Sequence, residues 1–351
     1  MRKVLIVLAM LFISAARAQT SLTLYGIADL GIDRQRGGVD GAVTKVSSGI
    51  ESGSRLGFKG VEDLGDGMQA LVQLESGIAM DTGSNNQSGL PFGRQIYVGL
   101  KDAYGSLTLG RQYTALNNIL CGEIDPFRCG LAGSAYSIMS VGGTPTNGGN
   151  GSRTNNAIKY TAPVDADLKL EATYAPGEVA GNFRAARTVG GGLGYTHGAW
   201  LLRAAFNAVT DALAKSTARV KLAGLSYDAD VVVFSAAYAA NDGSYSTLTN
   251  TPKKTTHDVL LGARVPLGPH TLIVSGIHGS AQDAAHGGVT QLALGYTYAL
   301  SRRSDLYTSY GKVRNSVPKS ALNAGGFFTI GNAIDGGTGN SAMNLGMRHT
   351  F

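Results

Sequence analysis

The segment MNLGMRHTF, from Met343 to Phe351, ends the chain with strict alternation of side-chain character. One face carries Met343, Leu345, Met347, His349 and Phe351, and the other carries Asn344, Gly346, Arg348 and Thr350. Because successive side chains of a β-strand point to opposite faces, this pattern predicts a strand that is apolar on one side only. An aromatic carboxy-terminus on such a strand suits a β-barrel, whose last strand must pair with its first to leave no open edge in lipid.

The first eighteen residues have the organisation of a secretory leader. Arg2 and Lys3 precede an apolar run at residues 4–13, and Ala16, Arg17 and Ala18 form a small-x-small cleavage site before Gln19. Ten apolar residues fall short of the ~20 that a membrane-spanning helix needs, which disfavours an anchor. We therefore expect residues 1–18 to be a signal peptide and residues 19–351 to be the exported domain.

The composition of the exported part favours one large barrel over two or three soluble domains. The chain has 50 glycines and 9 prolines, a mean hydropathy of +0.02, and no convincing segment of 3.6-residue period beyond the leader. These features are typical of strands that are half apolar and half polar. Three of the 30 basic residues lie in the leader, so the exported part has a net charge of +3, too small to indicate nucleic-acid binding.

Alternation along the chain divides it into about sixteen segments of roughly 8–12 residues, an even number that suits bacterial barrels. Short linkers alternate with long ones: short at residues 63–67, 102–105 and 300–304, and long at residues 34–53, 79–92, 113–152 and 315–342. The pattern predicts an all-β fold, a transmembrane 16-stranded antiparallel β-barrel with short periplasmic turns and long external loops. A soluble β-sandwich is the alternative, because alternation does not say which face is wet.

Five strings together resemble the trimeric general porins of Gram-negative outer membranes, especially the betaproteobacterial (neisserial and burkholderial) type. They are SRLGFKGVED (Ser54 to Asp63), GRQIYVGLKD (Gly93 to Asp102), GSLTLGRQYT (Gly105 to Thr114), LALGYTYALSRRSDLYTSY (Leu292 to Tyr310) and the terminal GMRHTF. The resemblance implies a homotrimer in the outer membrane, each barrel narrowed by an inward-folded third loop at residues 113–152. It also implies passive diffusion of small hydrophilic solutes, contact with membrane lipid and lipopolysaccharide, and assembly through the barrel-assembly machinery, which would recognise the strand ending in Phe351.

Basic side chains are the candidates for one wall of the pore constriction. Outward-facing Leu56 and Phe58 place Arg55 and Lys59 inside the barrel, and by the same alternation Arg153 and Lys159 also point inward. In the resemblance Arg94 joins them, although alternation alone would then also turn Ile96 and Val98 inward. A position in the lumen is energetically favoured for these cations, because an Arg or Lys that faces lipid near the midplane costs ~2–4 kcal/mol. Rim positions at lipid headgroups or at a subunit seam remain the alternative.

The long loop at residues 113–152 is the candidate for the opposite wall. Its Glu123 and Asp125 would face the arginines across a narrow gap and create a transverse field, unless they are simply solvated loop charges. Cys121 and Cys129 bracket these acids, and export to an oxidising compartment makes them a candidate disulfide, with two free thiols as the alternative. With five basic candidates against two acids, we expect a weak preference for anions.

Other functions are disfavoured by the motifs. The six histidines show no HExxH or HxxxH spacing, no nucleophile elbow occurs, and the glycines at residues 190–194 do not complete GxGxxG. We therefore expect no enzyme activity, metal or cofactor. A solute-specific outer-membrane channel remains the main alternative, and a non-channel adhesive or enzymatic barrel is a weaker one.

Overall fold

The computed structural model describes residues 20–38, 41–139, 151–163, 167–242, 255–281, 288–316, 330–334 and 337–351. The expected signal peptide, residues 1–18, lies outside these residues. Within the described ranges, no helix has both the length and the apolar character needed to cross a membrane.

One antiparallel sheet contains the seventeen strands formed by the described residues. In chain order they are β1 (Ser21–Gly38), β2 (Gly41–Ser48), β3 (Arg55–Gly65), β4 (Met68–Gly77), β5 (Gln95–Asp102), β6 (Gly105–Tyr113), β7 (Arg153–Thr161), β8 (Leu168–Ala175), β9 (Thr188–His197), β10 (Trp200–Thr210), β11 (Thr217–Asp228), β12 (Val233–Asp242), β13 (Thr255–Leu267), β14 (His270–Ala281), β15 (Val289–Ala299), β16 (Ser304–Asn315) and β17 (Ser341–Thr350).

The sheet closes into a barrel of sixteen strands. Strands β2 and β3 pair with the same edge of β1, one with its residues 30–38 and the other with its residues 21–27, so together they occupy one barrel position. The other edge of β1 pairs with β17. Gly26 and Phe351 exchange two backbone hydrogen bonds of 3.0 and 3.1 Å, which brings the end of the chain against the first strand. The predicted 16-stranded antiparallel barrel is confirmed.

Residues 49–54, between β2 and β3, bulge into the barrel and are held there by Asp29 of β1. The buried Asp29 carboxylate accepts hydrogen bonds from the backbone N–H of Glu51 (3.0 Å), the N–H of Ser52 (2.6 Å) and the Tyr307 hydroxyl (2.6 Å). These bonds satisfy a buried charge that would otherwise be costly. The predicted long loop at residues 34–53 is wrong over most of its length, because β1 and β2 extend through it as a hairpin.

Apolar side chains face outward and polar ones inward, as the alternation predicts. On β15, Leu292 is 60% exposed on the outer face while Gln291 is fully buried in the interior. On β17, Met343 and Leu345 are exposed and Asn344 is buried. A barrel in lipid inverts the arrangement of a soluble sheet in this way.

The loop at residues 113–152, called the constriction loop below, folds into the barrel. Its described part contains helix α1 (Ala115–Ile119), a π-helical turn (Leu120–Ile124) and two 3₁₀ turns (Leu131–Gly133 and Ala135–Ser137). The Thr114 hydroxyl caps α1 by accepting a hydrogen bond from the Asn117 N–H at 3.2 Å. The apolar side chains of the loop pack against inward-facing wall residues, among them Val220, Leu222, Leu260 and Ile277. The interior is therefore apolar beneath the loop and polar elsewhere.

Inward-facing glycines give the loop room against the wall. A side chain at any of them would overlap the loop or approach it within about 3 Å: Gly192 meets Ala115, Gly224 meets Ile124, Gly262 meets Pro126, Gly295 meets Phe127, and Gly311 meets the backbone of Ala132. Glycine is common where a second backbone segment approaches a strand closely. These positions explain part of the high glycine content.

Candidate functional site

A cavity of about 1340 Å³ lies in the lumen between the constriction loop and the barrel wall. Its charged lining consists of six arginines and two glutamates: Arg55, Arg94, Arg128, Arg153, Arg264, Arg348, Glu51 and Glu123. The walls of this gap are therefore mainly cationic.

Two of the three arginines predicted to form the basic wall, Arg94 and Arg153, meet at the phenol of Tyr113, the last residue of β6. The Tyr113 hydroxyl accepts hydrogen bonds from Arg94 at 2.5 Å and from Arg153 at 2.8 Å. The guanidinium of Arg153 also lies 4.4 Å from the centre of the Tyr113 ring, a favourable cation–π contact. Arg55 is held by the bulge that precedes it, donating to the Gly53 carbonyl (2.8 Å) and the Ser52 hydroxyl (3.0 Å).

Arg94 points into the barrel although Ile96 and Val98 of the same segment point outward. It lies directly before β5 begins at Gln95, so the two-residue period of the strand does not fix its direction. Ile96 and Val98 are exposed on the outer face, as lipid-facing residues should be. Arg94 instead turns inward and forms a buried ion pair with Glu75 of β4 at 2.8 Å.

The two predicted lysines lie inside the barrel but away from the arginine-lined cavity. Lys159 is buried in an ion pair with Glu171 and donates to the Tyr113 carbonyl at 3.3 Å. The ammonium of Lys59 lies 5.0 Å from the centre of the Tyr25 ring. Neither lysine is among the residues that line the cavity.

The loop acids differ from the sequence-based expectation. Glu123 reaches the cavity, but its carboxylate forms ion pairs with Arg203 of β10 and with Lys169 of β8, the latter at 3.5 Å. Asp125 is only 3% exposed and does not line the cavity. Of the two predicted loop acids, Glu123 therefore lies at the cavity with its charge paired, and Asp125 is buried away from it.

Asp125 instead organises a short turn closed by a disulfide bond between Cys121 and Cys129, whose Cα atoms are 5.0 Å apart. Its carboxylate accepts hydrogen bonds from the backbone N–H groups of Phe127 (3.0 Å), Cys129 (2.8 Å) and Ala135 (3.1 Å). Burial raises the pKa of Asp125 to about 6, against the opposing effect of these bonds. The turn carries Arg128, which is exposed to the lumen.

Sequence reasoning missed Arg128, Arg264 and Arg348 as lining residues. Arg348 stands on the polar face of the terminal strand, where alternation could have found it. Arg264 shares its inward face with Leu260, so β13 lacks a clear polar side. Arg128 lies in an irregular turn whose direction no periodicity encodes.

Two of the six arginines that line the cavity form ion pairs with described carboxylates. Arg94 pairs with Glu75, and Arg348 pairs with Glu51 at 3.3 Å and Asp305 at 2.6 Å. Within the described part of the chain, no carboxylate forms an ion pair with the other four, which are Arg55, Arg128, Arg153 and Arg264. Cations without an ion-pair partner contribute a positive potential to a wet gap, and such a potential attracts anions. No group of three or more potential metal ligands occurs among the described residues.

Comparison with known proteins gives concordant matches. A profile described as Gram-negative porin matches residues 5–318. Outer membrane porins of Bordetella pertussis and Delftia acidovorans are 31% and 29% identical to the chain, over 89% and 100% of it and 94% and 100% of their own lengths. The solved structure of an anion-selective porin from Comamonas acidovorans is similar in fold, with a TM-score of 0.79 and 25% identity over 95% of this chain and 100% of that one.

Proposed function

The chain belongs to the Gram-negative porin family and forms an outer-membrane channel for passive diffusion, and from this premise we propose that its arginine-lined gap gives the channel a weak preference for anions. The solutes are small and hydrophilic. The proposal assigns the basic side of the constriction to Arg55, Arg94 and Arg153. Lys59 and Lys159 lie outside the cavity lining, and the charge of Lys159 is paired with Glu171.

The presence of four lining arginines without an ion-pair partner carries this proposal. The one acidic group of the constriction loop that reaches the cavity, Glu123, is already neutralised by Arg203 and Lys169. A passing anion therefore meets cations on both the barrel wall and the loop. The anion selectivity named for the similar Comamonas acidovorans porin supports the same preference here.

The reversal potential of the channel in a planar bilayer under a salt gradient tests the proposal. Replacing Arg55 and Arg153 together by glutamine should move the reversal potential toward cation preference, because two positive charges without an ion-pair partner are lost. Arg302→Gln/Arg303→Gln, at the exposed turn before β16, removes the same charge far from the gap and should leave it unchanged. Equal potentials for all three proteins would remove these arginines from the constriction, whereas a current that saturates with one solute would indicate a solute-specific channel.

The remaining expectations are part of the same proposal. Residues 1–18 direct export and are removed, the barrel-assembly machinery recognises the terminal strand that ends in Phe351, and the protein forms a homotrimer that contacts lipopolysaccharide. Its relatives are porins, and we propose that it likewise moves solutes without catalysing a reaction.

A further inference from the structure

Arg203 of β10 holds the acidic side chain of the constriction loop that reaches the cavity, although it does not line the cavity itself. Its Nε donates to the Glu123 carboxylate in an ion pair. The Arg203 side chain is 2% exposed, whereas that of Glu123 is 24% exposed. Glu123 is therefore the partner that meets the water of the lumen, and Arg203 holds it from the barrel wall.

The glycine-rich strand β9 provides the seat for Arg203. Gly194 is its partner in register, and a Cβ at Gly194 would lie 2.9 Å from Nη1 and 3.0 Å from Cζ of the guanidinium. Nη1 donates to the carbonyls of Tyr195 and Leu202, each at 3.0 Å, and Nη2 donates to the Thr196 hydroxyl at 3.2 Å. Because all three nitrogens have acceptors, the planar guanidinium is fixed with its Nε toward the carboxylate.

A second cation contacts Glu123 but holds it less firmly. The ammonium of Lys169 lies 3.5 Å from the carboxylate, and its side chain is 54% exposed. Pairs between such exposed groups are screened by salt and contribute little. Arg203 is therefore the partner that determines where the Glu123 carboxylate lies.

Loss of Arg203 would leave the Glu123 carboxylate against the wall without its buried partner. A carboxylate that is removed from water and unpaired is costly. The cavity lies beside Glu123, so rotation of the side chain into the water of the lumen is the least costly response. The negative charge would then face the arginines that line the gap.

We propose that Arg203 is a positioning residue for ion selectivity, because it keeps the Glu123 carboxylate against the barrel wall and so keeps a negative charge out of the arginine-lined gap. The inference rests on the proposed function, in which the gap selects ions by charge. It concerns the change in selectivity when Arg203 is altered, whichever ion the unaltered channel prefers.

The anion-over-cation permeability ratio, read from the reversal potential in a planar bilayer under a KCl gradient, tests the proposal. Arg203→Gln should lower the ratio by about two- to fivefold, the effect of one unit charge ~4 Å from a passing ion in water. The same substitution in a Glu123→Gln background should change the ratio far less, because no carboxylate is released. Arg203→Lys keeps a cation beside the carboxylate and should retain most of the original ratio.

Gly194→Ala tests the seat without changing any charge, and it does not depend on refolding of the Arg203 variant. Its methyl group would displace the guanidinium, so the ratio should fall in the same direction by a smaller factor, and only where Glu123 is present. Gly190→Ala is the matched control on the same inward face of β9. Its Cβ would meet the neutral amide of Asn207 at 2.6 Å, and the ratio should stay unchanged.

An equal fall in the ratio with and without Glu123 would overturn the proposal, because Arg203 would then act through its own charge. A large change in single-channel conductance shared by Arg203→Gln and Arg203→Gln/Glu123→Gln would also overturn it, since Arg203 would then hold the whole loop in place. Cation preference of the unaltered channel, with the effect of Arg203 dependent on Glu123, would refute the proposed anion preference and support this inference.

Discussion

Arg128 is the main difference between the observed constriction loop and the acidic loop that the sequence predicted. It extends from the disulfide-closed turn into the lumen, so the loop contributes a cation where acids were predicted. A unit charge acts on an ion ~4 Å away by about 1 kcal/mol in water. We therefore expect Arg128→Gln to lower the anion-over-cation permeability ratio by about two- to fivefold, read from the reversal potential.

Arg184→Gln is the control for this prediction, because Arg184 is exposed on an external loop outside the cavity lining. It should leave the ratio unchanged at moderate ionic strength, where charges beyond ~10 Å are screened. If Arg128→Gln and Arg184→Gln behave alike, the loop does not contribute to selectivity.

Individual site residues were predictable where a regular strand carries them. Arg55 and Arg153 begin β3 and β7, and alternation with outward apolar neighbours placed both inside the barrel. Arg94 precedes its strand, so only family resemblance suggested it. The burial of Asp125 was not predictable, because the local sequence of an irregular loop does not indicate which side chains are buried. Arg264 was not predicted as a lining residue because the inward face of its strand also carries the apolar Leu260.

The turn around Asp125 gives the constriction loop a dependence on pH. Burial raises the pKa of Asp125 from its ordinary 3.8 to about 6, so the folded turn binds the proton more tightly than the unfolded one. The resulting stabilisation is complete below about pH 4 and is lost as the pH rises to about 6. Hydrogen exchange of the Phe127 and Cys129 amides, corrected for intrinsic rates, should show the turn opening more readily at pH 7 than at pH 4.

Asp125→Asn provides the matched comparison, since it removes the titrating group at nearly constant volume. The variant should lose the pH dependence between about 4 and 6 and open more readily at low pH than the unaltered protein. Its carboxamide presents one acceptor oxygen to the three N–H groups, whereas both oxygens of the protonated carboxyl group can still accept from them. An unchanged pH profile in the variant would assign the effect to another group.

The disulfide bond stiffens the same element. It closes a loop with a sequence separation of 8 residues, so its removal should cost about 2 kcal/mol of loop stability. Cys121→Ser/Cys129→Ser should conduct with nearly the same mean current, because apolar packing still holds the loop against the wall, but with greater open-channel noise. A reducing agent should reproduce the noise in the unaltered protein and have no effect on the variant. Equal noise in both proteins would contradict a stiffening role.

At the scale of the whole molecule, the two-residue period of the sequence predicted the fold, because alternate side chains of each strand face lipid. Sixteen barrel positions were predictable for this reason. The sequence did not reveal that β2 and β3 share one position, since the inward bulge between them is stabilised by Asp29 of the adjacent β1 and by Tyr307, which lies far away in the sequence on β16. Long-range hydrogen bonds of this kind have no local signature.

Closure of the barrel depends on the contact between its first and last strands. The Phe351 ring lies over Gly26, and any side chain at Gly26 would overlap it. Gly26→Val should therefore displace Phe351 and weaken the two backbone hydrogen bonds that join the chain ends. Because an unclosed barrel exposes a strand edge to lipid, we expect a smaller fraction of refolded protein in the compact, heat-modifiable form on gels.

Ala28→Val is the matched control, because it adds a branched side chain to the same outward face two residues further along β1. It should refold like the unaltered protein, since its partner in register is His349, which meets the Phe351 ring only by stacking at a centroid distance of 6.4 Å. A normal yield for Gly26→Val would show that closure tolerates displacement of Phe351. A low yield for Ala28→Val as well would assign the defect to bulk on this face rather than to the joined ends.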